Sequence, residues 1–410
     1  MKKKTVSILL ILAMLLALVA CATPKADDPP AANDNPPATD NTETNDPDAE
    51  PGINADGLGG YKIGFWYAPP TDSLSKGFRD MLDYCAEMTN CEMVYYDMTG
   101  WSAGDQATAV ETLVAQGCDA VIMVTGQSPA IFQYLNDNEV YYVGMTRSLT
   151  EEVKLVTQDS EYCTGWTGDL GGEEGSNYAT GYMLTESLAQ AGCKKIAYVD
   201  SSEGETMGDE RCVGILAAVE DYGMEAIAKY RGTDGVTGFA DILSTFGADL
   251  DGIVFAGGSG DMAIAAIQAA GYMGKIKLAQ GNDAGEETRA YLENGMLQIT
   301  SLGGATFMAQ MYMQLFNALS GADRLFNTGH KIFPPMGGLI ITTPQEWDGA
   351  LQVMDAMPGG MTPPEILSLN SLCAPGMTLA EREELALSYA TVEYWSVEGA
   401  LARIAEYKAQ

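Results

Sequence analysis

From Tyr61 onward, short apolar runs alternate with helical stripes, and the whole alternation occurs twice. Residues 61–67 (YKIGFWY), 92–97, 119–124 and 140–146 predict strands, with helices at 74–88, 104–116 and 129–137 between them. After a Gly-rich break from Gly165 to Gly175, a second series predicts helix 174–191, strand 194–199, helix 208–222 and strand 224–230. It continues with helix 237–246, strand 251–256, helix 261–270 and strand 275–279, then helix 286–294, strand 297–302, helix 305–320 and a last strand at 337–342. Strands that are apolar almost throughout belong to parallel sheets buried on both faces, and helices between them supply the cover. In such sheets ligands bind at the carboxyl ends of the strands. GCDAVIMVTGQSPA (117–130) and ADLDGIVFAGGSGDMA (248–263) share an Asp, an apolar strand, a small polar loop and a helix start. The halves therefore read as two similar α/β domains.

A formal charge of −34 repels a phosphate backbone, which excludes nucleic acid as a partner. His330 is the single histidine, so a histidine base and a multi-histidine zinc site are both excluded. The sequence implies no cofactor and no metal. Eight cysteines are present, and without Cys21 they number seven, in no CxxC framework. Cys85 and Cys91 are the nearest candidates for a disulfide, against the reading of all seven as small core residues.

Lys2-Lys3-Lys4 followed by an apolar run from Val6 to Ala20 has the form of a signal peptide, residues 1–20. Its ending, Leu18-Val19-Ala20-Cys21, resembles the bacterial lipobox, which implies acylation of Cys21 and a lipid anchor. Residues 21–59 are rich in Pro, Asp, Asn and Thr and read as a disordered acidic tether. No later stretch is long and apolar enough to span a bilayer.

The loops after the predicted strands carry polar and aromatic groups: Trp66, Tyr67, Thr71 and Asp72, then Gln127, Arg147, Arg211, Ser259 and Asp283. Aromatic rings suit apolar faces of a small ligand, while carboxylates, amides and guanidinium forks suit its hydrogen-bonding groups. Other readings stand beside these. Arg147 and Arg211 could form surface ion pairs, Asp283 could cap a helix, and alternation along 61–67 leaves Trp66 facing either core or cleft. Trp101 and Trp166 sit in predicted loops that could reach the cleft rim. Gly257-Gly258-Ser259-Gly260 lacks a following Gly-Lys-Ser/Thr, which argues against a nucleotide site there.

Residues 60–342 resemble a type I periplasmic binding protein of the ribose- and galactose-binding branch. KIGFWYAPPTDSLSKGFRDM, AVETLVAQGCDAVIMV, GSNYATGYMLTESLAQAGCKKIAYVD, GIVFAGGSGDMAIAAIQAAG and GNDAGEETRAYLENGML carry the likeness, in family order. The resemblance implies two Rossmann-like, doubly wound parallel-sheet domains joined by a three-crossing hinge, here followed by a helical C-terminal extension. The expected division is 60–165 with 303–335 for one lobe, 166–302 with 336–342 for the other, and 343–410 for the extension. Gly168 to Gly175 is then a hinge. Arg147, Arg211 and Asp283 match ligand residues of the family. Thr146, Asn282 and Gly303-Gly304 depart from its pattern, as does Pro69-Pro70-Thr71-Asp72 in the first loop.

The implied function is that of a solute-binding protein on the extracytoplasmic face of the membrane, not an enzyme. It would be a monomer anchored by lipid, delivering a sugar or polyol to the permease of an ABC importer. The alternatives are a ligand-sensing receptor subunit, or a binding protein for a nucleoside or autoinducer. In the extension, Thr378-Leu379-Ala380-Glu381 fits a capping box, and Trp347 and Trp395 fit packing anchors. These helices either wrap one lobe or offer a docking surface.

Overall fold

The computed structural model describes residues 53–71, 73–100, 102–124, 128–145, 150–167, 176–204, 206–232, 235–256, 260–281, 285, 287–302, 306–328, 332–333, 338–391 and 393–410. The expected signal peptide and Cys21 lie outside them. The first half alternates β1 (Lys62–Tyr67), α1 (Ser73–Thr89), β2 (Glu92–Asp97), α2 (Ala103–Ala115), β3 (Ala120–Met123), α3 (Pro129–Asp137), β4 (Tyr141–Met145), α4 (Glu151–Thr157) and β5 (Cys163–Thr167). The second runs α5 (Ser176–Gln190), β6 (Lys195–Asp200), α6 (Thr206–Asp221), β7 (Glu225–Arg231), α7 (Gly235–Phe246), β8 (Gly252–Phe255), α8 (Gly260–Ala269), β9 (Lys277–Gln280), α9 (Thr288–Glu293) and β10 (Leu297–Leu302). Then come α10 (Phe307–Ser320), β11 (Ile332–Phe333), β12 (Leu339–Ile341), α11 (Pro344–Ala356), α12 (Pro363–Leu367), α13 (Leu379–Ser388) and α14 (Val397–Ala409).

The strands form two six-stranded sheets, ordered β11-β5-β4-β3-β1-β2 and β12-β10-β9-β8-β6-β7. Every pairing is parallel except β10 with β12. The chain passes between the sheets after Thr167, after Leu302 and after Phe333. Helix α10 returns to pack on β4, β5 and α1 of the first half. This is the type I periplasmic binding protein architecture expected from the sequence. Strand β5 is a correction: CTGWT lies in what reads as a loop and hinge, yet Trp166 and Thr167 belong to the first sheet. Its reason is tertiary. The Trp166 ring lies over Gly144 of β4, where a Cβ would stand 2.4 Å from the indole, and meets Phe132 edge-on at 5.3 Å. Trp166 is therefore a core residue and not part of a cleft rim.

Side-chain alternation sorts β1 between two cores. Ile63 and Phe65 pack with Phe78, Met81 and Leu82 of α1, while Trp66 joins Val110 and Leu113 of α2 and Phe132 of α3. Each half holds its first strand with an acid from the segment before the third. The Asp119 carboxylate accepts the Lys62 N–H at 2.8 Å, and Asp251 accepts those of Lys194 and Lys195, both at 2.9 Å. The shared Asp of the two sequence repeats is thus a strand clamp. All seven described cysteines are free, Cys85 and Cys91 included, and six of them are buried. Burial pushes the thiols of Cys118, Cys193, Cys212 and Cys373 up to about 11, which keeps them protonated at neutral pH. Among the described residues, no helix is long and apolar enough to cross a membrane.

The backbone N–H groups of Lys195 and Lys194 hold the Asp251 carboxyl below the usual carboxylate range. Its stabilisation is therefore present above the unfolded value, near ~3.9, and lost as pH falls through the lowered folded value. Asp251→Ala should reduce unfolding free energy by about 1 kcal/mol at pH 7, allowing for solvent screening. Urea titrations should show the gap to the parent closing below about pH 4.

Candidate functional site

The carboxyl ends of both sheets carry the chemistry. In the first, Tyr67 ends β1 half-buried, its ring 5.0 Å from that of Phe78, which in turn lies 5.4 Å from Phe307. Phe307 opens α10 directly after the second passage between sheets, so this aromatic cluster borders a crossing. Beyond Tyr67 the Pro-Pro sequence turns the chain: the Thr71 N–H donates to the Pro69 carbonyl at 2.7 Å and leaves Thr71 exposed. Trp66 corrects the sequence reading. It has 0% exposure, and the pleat aims it into the core under α2 and α3, so it has no surface to offer a ligand.

In the second sheet, β6 ends on Asp200 and β7 on Arg231, paired in register. Arg211 projects from α6 onto Asp200 as a fork: Nε donates to Oδ2 at 3.0 Å and Nη2 to Oδ1 at 2.6 Å. The Asp200 side chain is 0% exposed and that of Arg211 only 12%. The Arg231 guanidinium donates to the Ser201 and Ser202 carbonyls and, at 2.7 Å, to Asp209 Oδ1. Two guanidinium–carboxylate pairs, Arg211 with Asp200 and Arg231 with Asp209, thus flank the segment between β6 and α6. Their planar geometry permits two-point recognition that lysine would not give. Farther along the same edge, β9 ends on the buried Gln280, whose Nε2 donates to Thr300 Oγ1 at 2.8 Å. The first residue of α8 is Gly260, and a Cβ there would lie 1.8 Å from Gln280 Oε1.

Of the residues expected at the site, Tyr67, Thr71 and Arg211 are described at strand-end or helix-start positions. Asp72, Gln127, Arg147, Ser259 and Asp283 lie outside the described residues, as does Trp101. Sequence reasoning missed Phe307, Asp200, Arg231 and Gln280. Asp200, Arg231 and Gln280 each end a strand, and a polar residue closing an apolar strand was the available signal. Phe307 had none, because only the return of α10 brings it to Tyr67. Among the described residues no cluster of His, Cys, Asp and Glu could hold a metal.

Breaking a buried ion pair by removing one partner leaves an uncompensated charge. Asp200→Ala should therefore destabilise the fold by about 3 kcal/mol or more, read as a lowered thermal midpoint. Asp97→Ala, which removes the exposed partner of Arg79, should cost under about 1 kcal/mol.

Residues 65–323 match the family described as periplasmic binding protein domain. No curated protein sequence matches the chain. Among solved structures, a galactofuranose binding protein superposes with a TM-score of 0.56 at 17% identity, over 73% of this chain and 100% of its own. An ABC transporter periplasmic solute binding protein from Actinobacillus succinogenes 130z with bound D-allose gives 0.55 at 16%, over 70% and 100%. A solute binding protein from Bacillus halodurans C-125 with bound myo-inositol gives 0.53 at 17%, over 72% and 99%. With its two mainly parallel sheets, three passages between them and a match across residues 65–323, this chain belongs to the periplasmic binding protein family, whose members bind solutes and are not enzymes.

Proposed function

We propose that this protein is the solute-binding subunit of an ABC importer, held on the extracytoplasmic face of the membrane by lipid on Cys21. It captures a sugar or polyol in a cleft between its two lobes and presents it to the permease as a monomer. The observation that carries the reading is the Arg211–Asp200 fork at the carboxyl edge of the second sheet. Because a buried carboxylate already balances the guanidinium, this wall offers directed N–H donors with little net charge. That suits neutral hydroxyls better than an anion. The half-buried Tyr67 ring at the end of β1 supplies an apolar face of the kind that stacks on sugar C–H groups. Galactofuranose, D-allose and myo-inositol, named with the similar structures, are all neutral and polyhydroxylated.

The binding set in this reading is Tyr67, Thr71, Asp72, Gln127, Arg147, Arg211, Ser259 and Asp283, without Trp66. Ligand bridging both walls shifts the population toward a closed form, since only that form makes both sets of contacts. Capture needs no covalent step. Asp200 acts by orienting Arg211, and Arg231 by holding the Ser201–Ser202 loop in front of it.

The test is mass spectrometry of small molecules that co-purify with the protein, followed by a thermal-shift panel. A sugar or polyol at a hundred times its Kd should stabilise by about 2.7 kcal/mol. Arg211→Ala should weaken that ligand by roughly tenfold to a hundredfold, as loss of charge-assisted hydrogen bonds does. If amino acids or nucleosides shift the midpoint and sugars and polyols do not, the reading fails. Cys21→Ser should release the protein from the membrane fraction.

A further inference from the structure

The helices after β12 do not wrap one lobe; they join both. Helix α11 starts in a capping box, Thr343 with Glu346, and packs against β12 and α9 of the second half. There Arg289 of α9 donates through Nε to both Asp348 oxygens, at 2.9 and 3.1 Å. The chain then turns at Gly359 and Gly360, whose φ values of 64° and 70° favour glycine. It lands on the first half. A Cβ at Gly359 would lie 2.0 Å from Met81 Cε of α1 and 2.9 Å from Thr306 Cγ2, at the second passage between the sheets.

From there the contacts are to α1, α10 and the turn after α10. The Tyr84 hydroxyl donates to the Met361 carbonyl at 3.1 Å. The fully buried amides of Asn317 and Asn370 interlock: Asn317 Nδ2 donates to the Leu369 carbonyl at 3.0 Å, and Asn370 Nδ2 to Asn317 Oδ1 at 2.9 Å. Farther on, the Asp323 and Phe326 N–H groups donate to Ser371 Oγ at 3.0 Å and Glu383 Oε1 at 2.6 Å. Helix α14 finally returns to α11 and β12. Glu365 ties this return to α12, forming an ion pair with Arg403 at 3.0 Å and accepting from the Tyr394 hydroxyl at 2.8 Å.

We propose that residues 343–410 are a strap that adds a fourth and a fifth passage between the lobes and limits how far the cleft opens. The strap lies beyond the family match, which ends at residue 323. Three passages alone leave a hinge free to swing, whereas a packed element anchored on both lobes near Thr306 must be strained or released by wide opening. Restricting the open state reduces what a ligand must overcome to reach the closed one. The proposal rests on the two-lobe reading above, but its test uses no ligand, so the two fail separately.

The measurement is single-molecule FRET on the full mature chain, with dyes on unnatural side chains at the exposed Glu111 and Glu220, one in each half. Arg289→Asp sets like charges against Asp348 and Glu293 at a surface site and should raise the widely separated population roughly threefold. Adding Asp348→Arg to that variant should restore the parent distribution. Asn370→Ala should broaden the distribution from the other anchor. Parental distributions in folded variants, by circular dichroism, overturn the strap. If Asn370→Ala fails to fold, Arg289→Asp and its charge swap decide the matter alone.

Discussion

One apolar core runs without interruption through both halves and the C-terminal helices, and the rest of the structure depends on it. Ile63 and Phe65 of the first sheet, Ile253 and Phe255 of the second, and Trp347, Val353, Met361 and Trp395 of the extension belong to the same buried cluster. The other face of each sheet has its own separate core, under α2 and α3 in the first half and under α5 and α6 in the second. A parallel sheet must be covered on both sides. Here one of those coverings is shared between the halves, so the extension is structural before it is anything else.

The candidate site follows from the same constraint. Because the strand interiors are apolar on both faces, polar side chains collect at the strand ends, where the backbone runs out of partners. Asp200 and Arg231 meet there in register, and α6 starts close enough for Arg211 to reach Asp200 with two donors. Burying such a pair costs desolvation, which the fork geometry and added hydrogen bonds offset. The result is a guanidinium fixed in direction and balanced in charge, the geometry on which the proposed recognition of a neutral, oxygen-rich ligand rests. Tyr67, backed by Phe78 and Phe307, plays the apolar counterpart on the other sheet.

Much of the fold was legible in the sequence because strands buried on both faces show as short continuous apolar runs and one-sided helices keep a 3.6-residue period. The capping box at Thr378 and the anchors Trp347 and Trp395 were readable for the same local reason. CTGWT was not readable as β5, since a strand of small residues earns its place only through Trp166 packing over Gly144 of its neighbour. Trp66 was ambiguous in principle: alternation says that neighbours face apart but not which face is the core.

What the sequence alone determined is the class of architecture: two alternating series of strand and helix and the glycine-rich joints between them. An acid before the third strand of each series also showed in the sequence, although its role as a clamp came only from the structure. These features are set by local pattern, which one chain displays in order. The tertiary structure decided that Trp66 is core, that Arg211 is forked onto Asp200, and that residues 343–410 pack on both halves of the chain. Each of those depends on a partner far along the chain, and no local pattern encodes which distant residue a side chain will meet.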